Sequence, residues 1–162
     1  MPTSPSIYNY SVLKATVTFE GTLLGNCTEI ELTPDVTALD HVTSQEGVGT
    51  VDRTVITQKK LSLRIVMDEW SEHNVRLAVL GAASGTIELY SESEREGAIT
   101  ITGTNDIGQQ YDWTLPSVSF LPTGSMNLIS EEFQTMEVTG TVNLIAGVFG
   151  TVAASGGEVA PV

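Results

Sequence analysis

Cysteine is almost absent: Cys27 stands alone in a chain of 162 residues, so no internal disulfide can staple the fold. It reads as a small packing residue, with a reactive or intermolecular thiol as the alternative. Basic side chains are scarce too, seven Lys and Arg against twenty Asp and Glu, for a formal charge of −13. Phosphate contacts need clustered cations, which argues against a nucleic-acid binder and against docking on an anionic membrane. Unbroken apolar runs extend over a few residues only, far short of a helical membrane span. The N-terminal Met1-Pro2-Thr3-Ser4-Pro5-Ser6 has neither the basic region nor the apolar stretch of a signal peptide, so synthesis in the cytosol is expected.

Hydroxyl groups fill the gap left by charge. Hydrophobic residues make up 41% and charged residues only 17%, while Thr, Val and Ser number 21, 17 and 14. Thr and Val favour strands, so the polar faces of a sheet are expected to be built largely from threonine and serine. Charge is also unevenly placed. All seven bases lie at or before Arg95, and from Glu96 to Val162 there are acids and no base.

The patterning is that of a mainly β chain. Val12 to Glu20 alternates, with Leu13, Ala15, Val17 and Phe19 on the inner face. Thr28 to Thr33 alternates again, and Thr33-Pro34-Asp35 is expected to end that strand. Asp40 to Thr57 reads as a long hairpin, poor in core residues, around the tip Ser44-Gln45-Glu46-Gly47-Val48-Gly49-Thr50; such a hairpin is marginal without a partner surface. Lys59 to Met67 is a strand with Leu61, Leu63, Ile65 and Met67 inward. One helix is expected over 71–80, with Ser71 as N-cap and Gly81 closing it. Val75, Ala78, Val79 and Ala82 form one stripe of this helix while Leu77 and Leu80 point the other way, the pattern of a helix wedged between two surfaces. Further strands are expected at Thr86–Ser91, Ala98–Thr104, Gln110–Leu115, Ser117–Leu121 and Phe133–Leu144, with Ser91 to Gly97 joining two of them in a hairpin. Residues 1–11 and 150–162 read as flexible arms flanking one domain over 12–149. The architecture expected is an antiparallel β-sandwich or barrel with one flanking α-helix.

Chemistry is not written into the chain. No metal-ligand, P-loop, dinucleotide or nucleophile-elbow motif occurs, and Gly81-Ala82-Ala83-Ser84-Gly85 has its serine in the wrong place. His41 and His73 each lie near acids but in different elements, without a nucleophile to serve. Glu29/Glu31 and Glu131/Glu132 read as solvated faces rather than a glycosidase dyad or calcium ligands. No catalytic residue, metal or cofactor is expected.

The central block carries a family resemblance. Glu29-x-Glu31-Leu32-Thr33-Pro34, Leu39-Asp40-His41-Val42-Thr43-Ser44 and Asp52-x-x-Val55-x-x-x-Lys59-Lys60 are followed by Asp68-Glu69-Trp70-Ser71-x-x-Asn74 and Leu80-Gly81. In order and spacing, residues 12–145 resemble the major tail tube protein of long-tailed, non-contractile bacteriophages, whose fold contractile-tail and type VI secretion tubes share. The resemblance implies hexameric rings stacked into a hollow tube through which genomic DNA passes without specific binding, in a virion tail assembled in the host cytoplasm. Tape-measure, tail terminator and baseplate or tip proteins are partners implied in the same way.

Under that resemblance, the hairpin residues Ser44, Gln45, Glu46, Gly47, Val48, Gly49, Thr50, Asp52 and Arg53 contact a neighbouring subunit or ring. Glu29, Glu31, Asp112 and Glu137 are the acids expected to face the lumen, and Trp70, Leu77 and Leu80 the helix residues expected at an interface. Rival readings are a virion decoration or adhesin module using Trp113, a jelly-roll hydrolase in which His41 or His73 meets acids in one pocket, and a secretion tube that carries effector instead of DNA.

Overall fold

The computed structural model describes residues 14–44, 47–82, 84–104, 110–121 and 126–154. The expected arm at 1–11, the tip residues Gln45 and Glu46, and residues 155–162 lie outside the described residues. The chain is mainly β, with eight strands and one short helix among these residues. The strands are β1 Ala15–Phe19, β2 Thr22–Leu23, β3 Cys27–Thr43, β4 Thr50–Met67, β5 Arg95–Gly103, β6 Tyr111–Leu121, β7 Met136–Val142 and β8 Thr151–Ala154; α1 is Glu72–Ala78.

All eight strands belong to one sheet in the order β2-β1-β5-β6-β7-β4-β3, with β8 also pairing β6, and every pairing is antiparallel. Alternation decides which face is buried. Val17 and Phe19 of β1, near one edge, share a single core with Leu63, Ile65 and Met67 of β4, near the other, so the sheet curls over its own apolar face. Ile99, Leu115, Val118, Phe120, Met136, Val138 and Val142 fill the space between. Phe120 meets Phe19 edge to face at 5.4 Å, a favoured aromatic geometry.

Several strands differ from the sequence expectation, three of them for a plain backbone reason. Pro34 does not end β3, which runs on to Thr43. Among the described residues β3 lies at the edge of the sheet, where one side of the ladder has no partner and a missing N–H is tolerated. Pro116 likewise does not split β6. Gly97 pairs with Val118 and Ile99 with Leu115, so Pro116 and Ser117 face the single residue Ala98 in a β-bulge. The expected strand at Thr86–Ser91, and the hairpin leading out of it, do not form. The amides of Tyr90 and Glu92 donate instead to the carbonyls of Val79 and Leu80, at 2.8 and 3.0 Å, so this segment satisfies the end of the helix. The buried Arg76 guanidinium ties down the same loop by donating to the carbonyls of Ala82 and Gly85.

The helix begins as expected, with Ser71 Oγ accepting from the Asn74 amide and Glu72 in the first turn. Its last residue is Ala78, two earlier than expected. Leu80 adopts the left-handed conformation (φ 48) and the Gly81 amide donates to the Arg76 carbonyl at 2.9 Å. A left-handed leucine is strained, and its fully buried side chain supplies the compensation.

The C-terminal arm expected from residue 150 is in part a strand. β8 pairs with Tyr111–Thr114 on the side of β6 that β7 occupies further along, so a partner ladder is already waiting for it. The last long strand is shorter than expected, running over Met136–Val142 instead of Phe133–Leu144, and Leu144 is exposed beyond its end.

Gly140 marks the tightest contact between β6 and β7. A Cβ there would lie 2.8 Å from Val118 Cγ1 and 3.0 Å from both Phe120 Cδ1 and the Ser119 carbonyl. Gly140→Ala is expected to lower the free energy of unfolding by about 1–3 kcal/mol, measured by urea denaturation, because the strand must shift to accept the methyl.

Candidate functional site

The face of the sheet opposite the core is built from hydroxyls and acids. Strand alternation and register set Thr16 and Thr18 of β1 beside Thr100 and Thr102 of β5, then Asp112 and Thr114 of β6. Further along, Ser119 of β6 meets Thr141 of β7, and Thr139 and Glu137 lie beside Arg64 and Val66 of β4. Glu29 and Glu31 of β3 complete the face at the sheet edge. All four acids expected to line a lumen therefore share one side of the sheet.

Three of them are not free. Arg64 Nη1 donates to Glu29 at 2.7 Å, and Nη2 and Nε reach the Glu137 carboxylate at 3.1 and 3.0 Å. Glu31 lies 3.9 Å from Nη1. The Glu137 hydrogen bond, with the charges of Glu137 and Glu29, holds the Arg64 guanidinium charged above its ordinary range, against a smaller opposing effect of desolvation. One cation thus bridges β3, β4 and β7 and leaves the cluster with a residual negative charge. Asp112 sits apart, on β6, and accepts from the Gly103 amide at 3.1 Å. A second polar chain runs beside the bulge, around the buried Ser117: Asn143 donates to Ser117 and Ser119, and Ser117 donates to Glu96 at 2.6 Å.

The other conspicuous feature is the β3–β4 hairpin, which is far longer than the expected 40–57. The two strands pair from Cys27↔Met67 to Thr43↔Thr50, while β7 accompanies β4 only along Leu61–Met67. Beyond Pro34 and Leu61 the hairpin is a two-stranded ribbon on its own, about 30 Å long at the rise of an extended strand. Val36, Leu39, Val42, Val48, Val51, Val55 and Ile56 are exposed along it. Within the ribbon, His41 Nδ1 meets Asp52 at 2.6 Å and Thr54 donates to Asp40 at 2.7 Å. Of the expected contact residues, Ser44, Gly47, Val48, Gly49 and Thr50 form the exposed tip, and Asp52 and Arg53 lie just below it on β4.

The helix residues expected at an interface must be corrected. Leu77 and Leu80 are each 1% exposed, buried in this chain's own interior, so they have no surface to offer a partner. The two-sided apolar pattern is satisfied within the chain itself. Trp70 alone of the three reaches solvent, and its indole N–H donates to the Gln134 carbonyl at 3.1 Å.

The remaining chemically capable groups are dispersed. His73 packs against Phe19, and burial, with the positive Arg95 nearby, lowers its pKa against a weaker pull from Glu20. It lies on α1 while His41 is on the ribbon, so the two do not meet in one pocket. Cys27 packs on the core, and burial, then Asp68 and Glu69, push its thiol up to about 11. Among the described residues no group of three or more His, Cys, Asp or Glu is arranged to hold a metal ion. A cleft of about 840 Å³ opens where β3 faces the ends of β1, β5 and β6, with Ile30, Leu32, Ile101, Tyr111 and Trp113 in its lining.

Sequence reasoning missed Arg64 and the cleft. Arg64 was within reach, since inward Leu63 and Ile65 force it onto the face that carries the acids. The cleft was not, because it depends on how far the two ends of the sheet stand apart.

Residues 15–86 match a family model described as Protein of unknown function UCP028589. That stretch carries the ribbon, Glu29, Glu31 and Arg64, but not Asp112 or Glu137. No curated protein matches the chain.

Two outcomes test this geometry. Arg64→Gln leaves three carboxylates facing one another, so its urea midpoint is expected to fall below wild type, and the deficit to shrink as NaCl screens the repulsion. Cys27 is expected to react with iodoacetamide at pH 8 about a hundredfold more slowly than an unperturbed thiol, because little of it is thiolate.

Proposed function

We propose that this chain is a structural subunit that assembles with copies of itself into stacked hexameric rings around a hollow tube, of the kind formed by the tail tube proteins it resembles. The observation that carries the reading is the ribbon. A two-stranded hairpin is marginally stable alone in water, and this one exposes seven large apolar side chains and, among the described residues, two bare strand edges over its distal length. Natural sheets seldom leave such edges unprotected unless another chain covers them.

The polar face supports the same reading as a lumen lining. Hydroxyls give an uncharged, wettable wall, and the acids among them repel DNA phosphates within a Debye length of about 8 Å at physiological salt. The repulsion is gentler than four free carboxylates would give, because Arg64 offsets part of the charge of Glu29, Glu31 and Glu137. A conduit needs that balance, since a cationic wall would hold the DNA it is meant to pass. In this reading the tape-measure, terminator and baseplate proteins are further partners, and the subunit has no catalytic role.

A second reading, a virion decoration or adhesin module, draws on one observation. Tyr111 and Trp113 are partly exposed in the cleft between β3 and β6, where a sugar ring could stack.

Negative-stain electron microscopy and sedimentation of the purified protein over a concentration series separate the two. Hollow rings or tubes are expected; a monomer or trimer at every concentration overturns the tube reading in favour of the decoration module. Deleting residues 44–50 is expected to leave a folded subunit by circular dichroism that forms no stacked tube. Tubes formed by that variant would remove the ribbon tip from the contact between rings.

A further inference from the structure

The ribbon is polarised across its width. β3 carries Glu29, Glu31, Asp35 and Asp40 and no Lys or Arg; β4 carries Arg53, Lys59, Lys60 and Arg64, with Asp52 as its one acid. At the root, Glu29, Glu31 and Arg64 satisfy one another within the subunit. Asp52 is engaged by His41. What remains over the distal ribbon is Asp35 and Asp40 on one strand and Arg53, Lys59 and Lys60 on the other, and among the described residues none of these five makes an ion pair. They include every base of β4 that the root leaves unused, in a chain whose net charge is −13.

Among the described residues both edges of the same stretch are unpaired: β3 has no neighbour on its outer side, and β4 loses β7 beyond Leu61. We infer that the basic β4 edge of one subunit's ribbon adds in antiparallel register to the acidic β3 edge of the next subunit's ribbon, so that partner and direction around the ring are chosen by charge. This deepens the self-assembly reading and rests on it.

The inference follows from what each way of pairing brings together. Strands joined edge to edge set facing side chains about 5 Å apart, where opposite charges attract and like charges destabilise. Pairing β3 with β3 sets Asp35 and Asp40 of one copy beside those of the other, and pairing β4 with β4 crowds Arg53, Lys59 and Lys60. Both of those arrangements are the two-fold, self-complementary kind that would stop at a dimer. Pairing β4 with β3 relieves both repulsions. Subunits related by rotation about a common axis point their ribbons the same way, so β4 of one runs antiparallel to β3 of the next. Such a contact is head-to-tail, the kind that closes into a ring when the rotation between subunits divides the circle. The bare amides and carbonyls would then be paired, and the apolar cross-strand pairs Ala38–Ile56, Leu39–Val55 and Val42–Val51 would gain side chains of the adjoining ribbon beside them.

Two charge-reversed chains test this. Asp35→Lys with Asp40→Lys makes both ribbon edges basic, and Lys59→Glu with Lys60→Glu makes both acidic. All four positions are exposed, so each chain is expected to fold, checked by circular dichroism and cooperative melting. Each alone is expected to sediment as a monomer where wild type forms rings, and an equimolar mixture to recover rings containing the two chains in equal numbers. Combining all four substitutions in one chain is expected to restore assembly as well. If either reversed chain assembles alone as wild type does, or if two folded reversed chains stay apart on mixing, the edge pairing is wrong while the ring reading stands. Should a reversed chain fail to fold, the wild-type salt series decides: ring formation is expected to weaken as NaCl rises to 1 M, and insensitivity to salt overturns the proposal. Wild type that stays monomeric at every concentration and salt overturns the ring reading and the edge pairing together.

Discussion

A ribbon two strands wide cannot bury a face of its own, and the rest of the molecule is arranged around that constraint. β4 is the strand that meets it. Its second half, with Leu63, Ile65 and Met67 fully buried, is part of the core, while its first half is exposed at every residue from Thr50 to Lys60. Burying three such side chains is worth about 5–8 kcal/mol before the entropy of ordering is set against it. That anchors the root and does nothing for the far end. Stability along this one strand therefore grades from core to solvent, and the exposed half is where an added surface changes most.

Arg64 sits at the step between these regimes. It lies one residue from core positions on either side, and its guanidinium touches strands on both flanks. Edge strands are prone to fray, and β3 is the edge strand among the described residues. A forked cation that gathers Glu29 from β3 and Glu137 from β7 ties the edge strand to the sheet interior with charge-assisted bonds, without spending core volume. The same arrangement tempers the acidity of the face. One residue thus fixes the root of the ribbon and sets the electrostatic character of the surface beside it.

Much of the sheet was legible because a half-buried strand declares itself in alternation. Val17 and Phe19, Leu63 to Met67, and Met136 to Val142 all face as their pattern requires, and Ser71 caps the helix where the sequence places it. Legibility failed where the environment changed the meaning of a residue. Pro34 and Pro116 read as strand breakers, yet an edge and a bulge each tolerate a missing amide. Thr86–Ser91 has the composition of a strand, but the nearest unsatisfied carbonyls belonged to the end of the helix and took its amides. Leu77 and Leu80 looked like an outward stripe because the sequence does not tell how many sides of a short helix the chain itself will cover. The acids on β3, β6 and β7 were individually readable as solvent-facing. That three of them surround one arginine is a fact of register between strands far apart in sequence.

The order in which the strands leave the ribosome gives the ribbon one more significance. Both of its strands are complete once Met67 has been made, whereas β7, which completes the burial of β4, begins at Met136. Local contacts form quickly, so the hairpin zips while the segment destined to anchor it has yet to be synthesised. During that interval a long apolar edge is on display beside other nascent chains making the same edge. Asp35, Asp40, Lys59 and Lys60 interrupt the apolar positions in this region, as gatekeeper charges do in aggregation-prone strands. The charges that mark the ribbon in the finished fold thus also guard it in the unfinished one.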